Sequence, residues 1–256
     1  MPAVAALEEL LREAGEFAVA DLNLVVEPGA RAASQQSLAD SGLLLLGEVH
    51  GVHENPLLMR ALMQAFGLTC LALEWPDDLA PVIETYLADG TLADHGLLWS
   101  GDGRITAGHL AVLAERAAAG PLGIILFDGM ISAHWTWSQR DEAMAGRILS
   151  ATAAPTRTLV VAGNAHTPTY VSDLGVPMGA QLARQRPGVR DIRISYGSGS
   201  YYNLEPHTFA PLSPRPREIR LRQHDGALVL DLPVATEAVV PHRFRGELPG
   251  GFPGRI

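Results

Sequence analysis

The feature that most constrains this chain is the run Leu43 to His53, LLLLGEVHGVH. Four consecutive leucines followed by Gly47 read as a buried strand that stops abruptly, and the stop is crowded with Glu48, His50, His53 and Glu54. Residues two apart on an extended chain share a face, so Glu48 and His50 project together from the end of that strand. A carboxylate and an imidazole are thereby delivered to one place.

Two other apolar runs end in the same manner. Leu68 to Leu73 closes on Glu74-Trp75-Pro76, and Thr158 to Ala162 closes on Gly163-Asn164-Ala165-His166. Open parallel sheets bind ligands beyond the carboxyl ends of their strands, so three such runs point to one shared site. A fourth strand, Leu122 to Phe127, ends on Asp128-Gly129, where the aspartate either joins the pocket or forms a turn.

Helical periodicity fills the intervals. Ala3 to Ala14 carries Leu7, Leu10 and Leu11 on one side, with Gly15 as a stop. Asn55-Pro56 opens a helix with the asparagine as N-cap, and Gly67 ends it. Helices are expected from Asp77 or Asp78 to about Leu87, from Thr106 to Ala119, and from Ser138, where Ser138 and Asp141 fit a capping box that places Arg140 in the first turn. Asn23 to Val26 reads as a short strand ending at Pro28-Gly29. Pro177 to Arg186 reads as a helix, Val189 to Ser195 as a strand, and Glu218 to Arg222 with Ala227 to Leu232 as a hairpin. The segment Ser195 to Asn203, SYGSGSYYN, lacks phosphate-loop spacing and reads as a loop. The expected architecture is a three-layer α/β fold. A mainly parallel central sheet has helices on both faces and a C-terminal hairpin follows, all in one domain over 1–256 with its core at about 42–196 and a loose tail at 250–256.

Composition excludes some partners. A net charge of -9, from 28 acidic and 19 basic side chains without a basic block, argues against nucleic acid or an anionic membrane. No stretch of about 18 apolar residues occurs, and the N-terminus lacks a basic region ahead of an apolar segment, so a cytoplasmic protein is expected. The lone Cys70 lies within an apolar run and reads as a core residue.

Taken together, GEVH at Gly47 to His50, Glu74, RDEAMA at Arg140 to Ala145 and GNAH at Gly163 to His166 resemble the superfamily that joins erythromycin esterases, ChaN-type haem-binding lipoproteins and the TraB/Tiki proteins. The resemblance spans roughly Gly42 to Gly175. It implies an α/β domain with a pocket built from these motifs, used by some members for ester or amide hydrolysis and by others for haem or metal. The expected absence of an export signal would depart from the haem lipoproteins, and a chain of this length would be short for the macrolide esterases.

The same residues carry a chemical reading of their own. His50 or His166 suits a base near neutral pH, and Glu48 or Glu74 suits the carboxylate that fixes its tautomer. Arg140 suits a substrate carboxylate or a developing oxyanion. No G-x-S-x-G occurs, so activated water is the expected nucleophile. Glu48, His50, Glu74, Arg140 and His166 are thus the candidate catalytic set, acting on an ester or amide of a small natural product or peptide. His53, Asn164, Trp135 and Trp137 are the candidate substrate contacts, and His134 belongs to the same aromatic loop. His50, His166, Glu48 and Glu74 also form a candidate ligand set for zinc, manganese or iron, and a haem- or metal-binding protein without catalysis is the alternative reading. A third reading is an inactive interaction module. His95, His109, His207, His224 and His242 read as surface or loop residues.

Overall fold

The computed structural model describes residues 3–129, 135–152 and 156–240. In chain order these form α1 (Ala3–Glu16), β1 (Val25–Val26), α2 (Pro28–Asp40), β2 (Leu43–Glu48), α3 (Asn55–Phe66), β3 (Cys70–Pro76), α4 (Ala80–Asp89), α5 (Ala107–Ala119) and β4 (Gly123–Asp128). Then follow α6 (Trp137–Ala151), β5 (Thr158–Gly163), α7 (Met178–Gln185), β6 (Arg190–Tyr196), β7 (Gly199–Asn203), β8 (Glu205–Phe209), β9 (Arg220–His224) and β10 (Ala227–Leu232). His134, His242 and the 250–256 tail fall outside the described residues.

The central sheet has the order β1-β9-β10-β6-β2-β5-β3-β4, and every pairing in it is parallel except β9 with β10. Alternation along β2 sorts the leucines. Leu44 and Leu46 join the larger core with side chains of α1 to α5, while Leu43 and Leu45 join a second core with Met144, Ile148, Met178 and Leu182 of α6 and α7. All four leucines are fully buried, and each such burial contributes on the order of 2 kcal/mol. A one-residue slip of β2 would exchange the two faces and drag Glu48 into the wrong layer, so these leucines also fix where Glu48 emerges. The three-layer architecture and the C-terminal hairpin read from the sequence are both present.

Several local readings are corrected. The short strand before Pro28-Gly29 is present as β1, but Pro28-Gly29 also opens α2, with Pro28 in the first turn, where its missing N–H is not needed. Asn55 is helical rather than the N-cap, and its side chain ties down the end of β2 instead: Nδ2 donates to the Val49 carbonyl at 2.8 Å, and Oδ1 accepts from the Tyr196 hydroxyl at 3.1 Å. The capping box of α6 belongs to Thr136 and Gln139, not Ser138 and Asp141. Ser138 Oγ accepts from Val176 N at 3.0 Å, and Arg140 stays in the first turn as expected.

The SYGSGSYYN segment is not a plain loop. Its second half is β7, paired antiparallel with β8. Main-chain hydrogen bonds pin this hairpin to the β2 end, and Phe209 stacks on Tyr196 beside them. Tyr202 N donates to Gly51 O at 3.0 Å, Leu204 N to Gly101 O at 3.2 Å, and Gly51 N to Gly103 O at 3.0 Å. Gly51 sits at φ +73, and a Cβ there would lie 1.7 Å from the Tyr202 carbonyl oxygen, so only glycine permits the crossing.

Candidate functional site

The carboxyl ends of β2, β5, β3 and β4 are neighbours in the sheet, so Glu48, Gly163, Glu74 and Asp128 line up along one edge. Glu74 is the hub. Its Oε2 accepts from Gly163 N at 2.7 Å, and its Oε1 accepts from Arg140 Nη2 at 2.9 Å. His50 Nε2 lies 3.8 Å from one oxygen, and His166 Nε2 and Arg104 Nη1 each lie 3.6 Å from the other. The glutamate is 3% exposed.

A carboxylate–imidazole pair flanks this hub on each side. On the α5 side, His50 Nδ1 is 3.2 Å from Glu48 Oε1. On the α6 and α7 side, His166 Nδ1 is 2.9 and 3.0 Å from the two oxygens of Asp141, which is fully buried and also accepts from Met178 N at 2.6 Å. Trp137 stacks on the His166 ring at 5.2 Å and 14°. The turn that aims His166 is held by main chain: Asn164 N donates to Glu48 O at 2.8 Å and His166 N to Gly163 O at 2.9 Å.

Both arginines are engaged by the carboxylates. Arg140 Nε and Nη2 grip the two oxygens of Asp128 at 3.2 and 2.9 Å, and Nη1 lies 3.1 Å from His166 Nε2. A guanidinium can only donate, so in the neutral ring His166 Nε2 accepts there and Nδ1 carries the hydrogen shared with Asp141. Arg104 Nη1 donates to Asp128 at 2.6 Å, and Nε donates to Asp102 at 2.6 Å.

Electrostatics follow from this packing. Burial alone would raise the Glu74 carboxyl, but His166, Arg104, His50 and Arg140 outweigh it and hold the group well below the usual carboxylate range. Burial alone would lower the His50 imidazole, but the hydrogen bond to Glu48 and the charges of Glu74 and Glu48 prevail and raise it. Burial raises the Asp141 carboxyl, against the pull of His166.

The five residues of the candidate catalytic set therefore meet in one place. The substrate contacts divide. Trp137 is at the site, and Trp135 is 39% exposed two residues before it. Asn164 is exposed and reaches the site through its backbone. His53 is not part of the cluster: its ring packs against Phe17 at 4.7 Å and its N–H donates to Thr236 O. Asp141, Asp128 and Arg104 complete the site, although sequence alone pointed to none of them firmly. Asp141 adjoins Arg140 on a helix, where successive side chains diverge by about 100°, so the pair serves two neighbours at once. His109 is also misread as a surface residue. It lies in the first turn of α5, 2% exposed, and lines a small cavity with Glu48, His50, Glu74, Trp75 and Arg104.

The proposed metal ligands do not fit a metal. Among the described residues no three acidic, histidine or cysteine side chains converge as a metal site. Two guanidiniums already lie within 4 Å of the Glu74 oxygen that would serve as a ligand. The cavity itself, about 10 Å³, has room for one water molecule and not for a haem. No helix among the described residues is long and apolar enough to cross a membrane.

Fold and site together define an open, mostly parallel α/β protein with an ionised cluster at the carboxyl ends of four adjacent strands. No known family profile matches the chain, and no curated protein sequence does either. Among solved structures, a Bacillus cereus protein is similar over 80% of this chain and 91% of its own, at 10% identity and a TM-score of 0.51. Two structures described as bacterial protein toxins align over 80% and 74% of this chain, at 19% and 22% identity and TM-scores of 0.46 and 0.47. This chain spans about two fifths of their length, 41% and 39%. The likeness is one of fold.

Proposed function

We propose that the protein is a hydrolase that cleaves an ester or amide bond of a small natural product or peptide, with His50 activating water. The observation that carries this reading is the difference between the two histidines. His166 has both ring nitrogens committed, to Asp141 and to Arg140. His50 has Nδ1 committed to Glu48, while its Nε2, 3.8 Å from Glu74, makes no hydrogen bond among the described residues. An imidazole with a carboxylate behind it and a free nitrogen in front is the arrangement of a general base.

The other residues take supporting roles. Glu48 fixes the His50 tautomer and stabilises the imidazolium that forms when water gives up its proton. Arg140 and Arg104, both locked to Asp128, present fixed positive charge beside the developing oxyanion, and the Asp141–His166 pair holds Arg140 in place. Arg140 does not need to bind a substrate carboxylate, because its nitrogens are already satisfied. The ordered resemblance of GEVH, Glu74, RDEAMA and GNAH to erythromycin esterases supports the same reaction class. Trp137 and Trp135 form an apolar wall suited to the acyl or leaving group.

The test is turnover of a panel of chromogenic esters and peptide anilides by the wild-type protein and by His50→Ala. The expected loss is about 10² to 10⁴ in rate with the fold intact. Undiminished turnover by His50→Ala removes the base from this reading.

A further inference from the structure

Behind His50 lies a second polar group that the reaction described above does not use. Glu48 Oε1 faces His50, but Glu48 Oε2 is fully buried and has no hydrogen-bond partner among the described residues. A buried carboxylate oxygen is normally satisfied, by protein or by internal water. The cavity beside it is about 10 Å³, close to the space one water occupies, and His109 forms part of its wall.

The surroundings of His109 permit the tautomer that offers a hydrogen to this cavity. Thr106 caps α5, and its Oγ1 accepts from His109 N at 3.3 Å. The Thr106 hydroxyl hydrogen is then free for His109 Nδ1, 2.9 Å away. In that tautomer Nε2 carries the ring hydrogen, and the His109 ring lines the cavity. The ring is wedged edge-on against Trp75 at 5.9 Å and 80°, and Trp75 Nε1 is itself tied to Arg104 O at 2.9 Å, so the imidazole is held on two sides. Burial lowers the His109 imidazole below its ordinary value, which keeps it neutral.

We infer that Glu48 Oε2 and His109 Nε2 together bind one ordered water, and that His109 is a positioning residue for the Glu48–His50 pair. Donors then converge on the Glu48 carboxylate from both sides. Thr106 O–H donates to His109 Nδ1, His109 Nε2–H donates to the water, and the water donates to Glu48 Oε2. His50 Nδ1–H donates to Glu48 Oε1, which leaves His50 Nε2 as the free acceptor. The water fixes the Glu48 carboxylate in the plane that His50 requires and shares its negative charge. This rests on the reading of His50 as base, but its test needs no substrate and so can fail or succeed independently.

The experiment combines a high-resolution crystal structure with ring NMR titration of His50 in the wild type, His109→Phe and His109→Gln. His50 is faced by Glu48 of β2, Glu74 of β3, Arg104 of the preceding loop and His109 of α5, and only the last is changed. A water within hydrogen-bond distance of both Glu48 Oε2 and His109 Nε2 is expected in the wild type. His109→Phe fills the space without a donor, leaves Glu48 bare, and should move the His50 midpoint upward by about half a pH unit or more. His109→Gln, whose amide can donate where Nε2 did, should restore the midpoint and also guards against a Phe variant that fails to fold. A cavity without water in the wild type, or a His50 midpoint unchanged in a folded His109→Phe protein, overturns the inference. Loss of the water with normal His50-dependent hydrolysis would leave the proposed reaction standing without it.

Discussion

Glu74→Gln is the most informative single change, because it keeps the shape of the hub and removes its charge. Glu74 Oε2 accepts from Gly163 N and Oε1 from Arg140, with Arg104, His166 and His50 all within 3.8 Å. A glutamine retains one acceptor, and its amide must then point N–H at either the Gly163 N–H or the Arg140 guanidinium. The variant therefore loses a buried charged partner and gains a donor facing a donor. At 3% exposure there is little solvent to screen the loss, so breaking this network should cost about 3 to 4 kcal/mol. For a chain of this size that corresponds to a fall in melting temperature of roughly 6 to 16 °C. The pH dependence has a definite sign. The folded-state carboxyl titrates below its ordinary value of 4.5, so its stabilisation is complete above that value and is lost as pH falls through the folded one. Urea denaturation below pH 6, where His50 stays charged in both states, should show a constant gap between wild type and variant that narrows only in strong acid. A Glu74→Gln protein within about 0.5 kcal/mol of wild type at pH 7 would refute the hub as a source of stability.

Other outcomes follow from neighbouring contacts. His50 should titrate above 6.5 by NMR and return toward or below that value in Glu48→Gln; the stability it contributes is complete below 6.5 and is lost as pH rises through its folded value, which melts across that range will check. Gly163→Ala places a Cβ 3.1 Å from His50 Nε2 and 3.4 Å from Glu74 Oε2, so hydrolysis should fall at least about tenfold while the melting temperature changes little; unchanged kcat/KM would place the reacting water elsewhere. Asp141→Asn should cost about 2 to 4 kcal/mol in denaturant and shift the His166 tautomer seen by nitrogen NMR, since a buried acceptor of three hydrogen-bond contacts becomes partly a donor. A tautomer unchanged in that variant would separate Asp141 from the orientation of His166.

The sheet was legible because its central strands are short apolar runs with abrupt ends, and the same abruptness exposed Glu48, Glu74 and His166. Arg140 was found because it stands at the start of a helix that must begin beyond the sheet. The partners of these residues were harder to see for physical reasons. Arg104 lies in an irregular stretch without periodicity, and Asp128 is indistinguishable in sequence from an ordinary Asp-Gly turn. Asp141 resembles a capping residue until Thr136 and Gln139 are seen to form the capping box. His53 misled by proximity in number: the chain bends after His50, at Gly51, and sends its ring to Phe17 instead. The β7–β8 hairpin was hidden because glycine and serine dilute its tyrosine alternation, and α2 because proline and glycine stand at its start rather than its end.

The crossing of Gly51 and Gly103 beneath Tyr202 separates two kinds of freedom. Since peptide groups make the crossing there, substitutions at the exposed β8 positions Glu205, Pro206 and Thr208 can accumulate without breaking it. A lineage can thus re-tailor what the hairpin touches while the charged floor below it stays as it is.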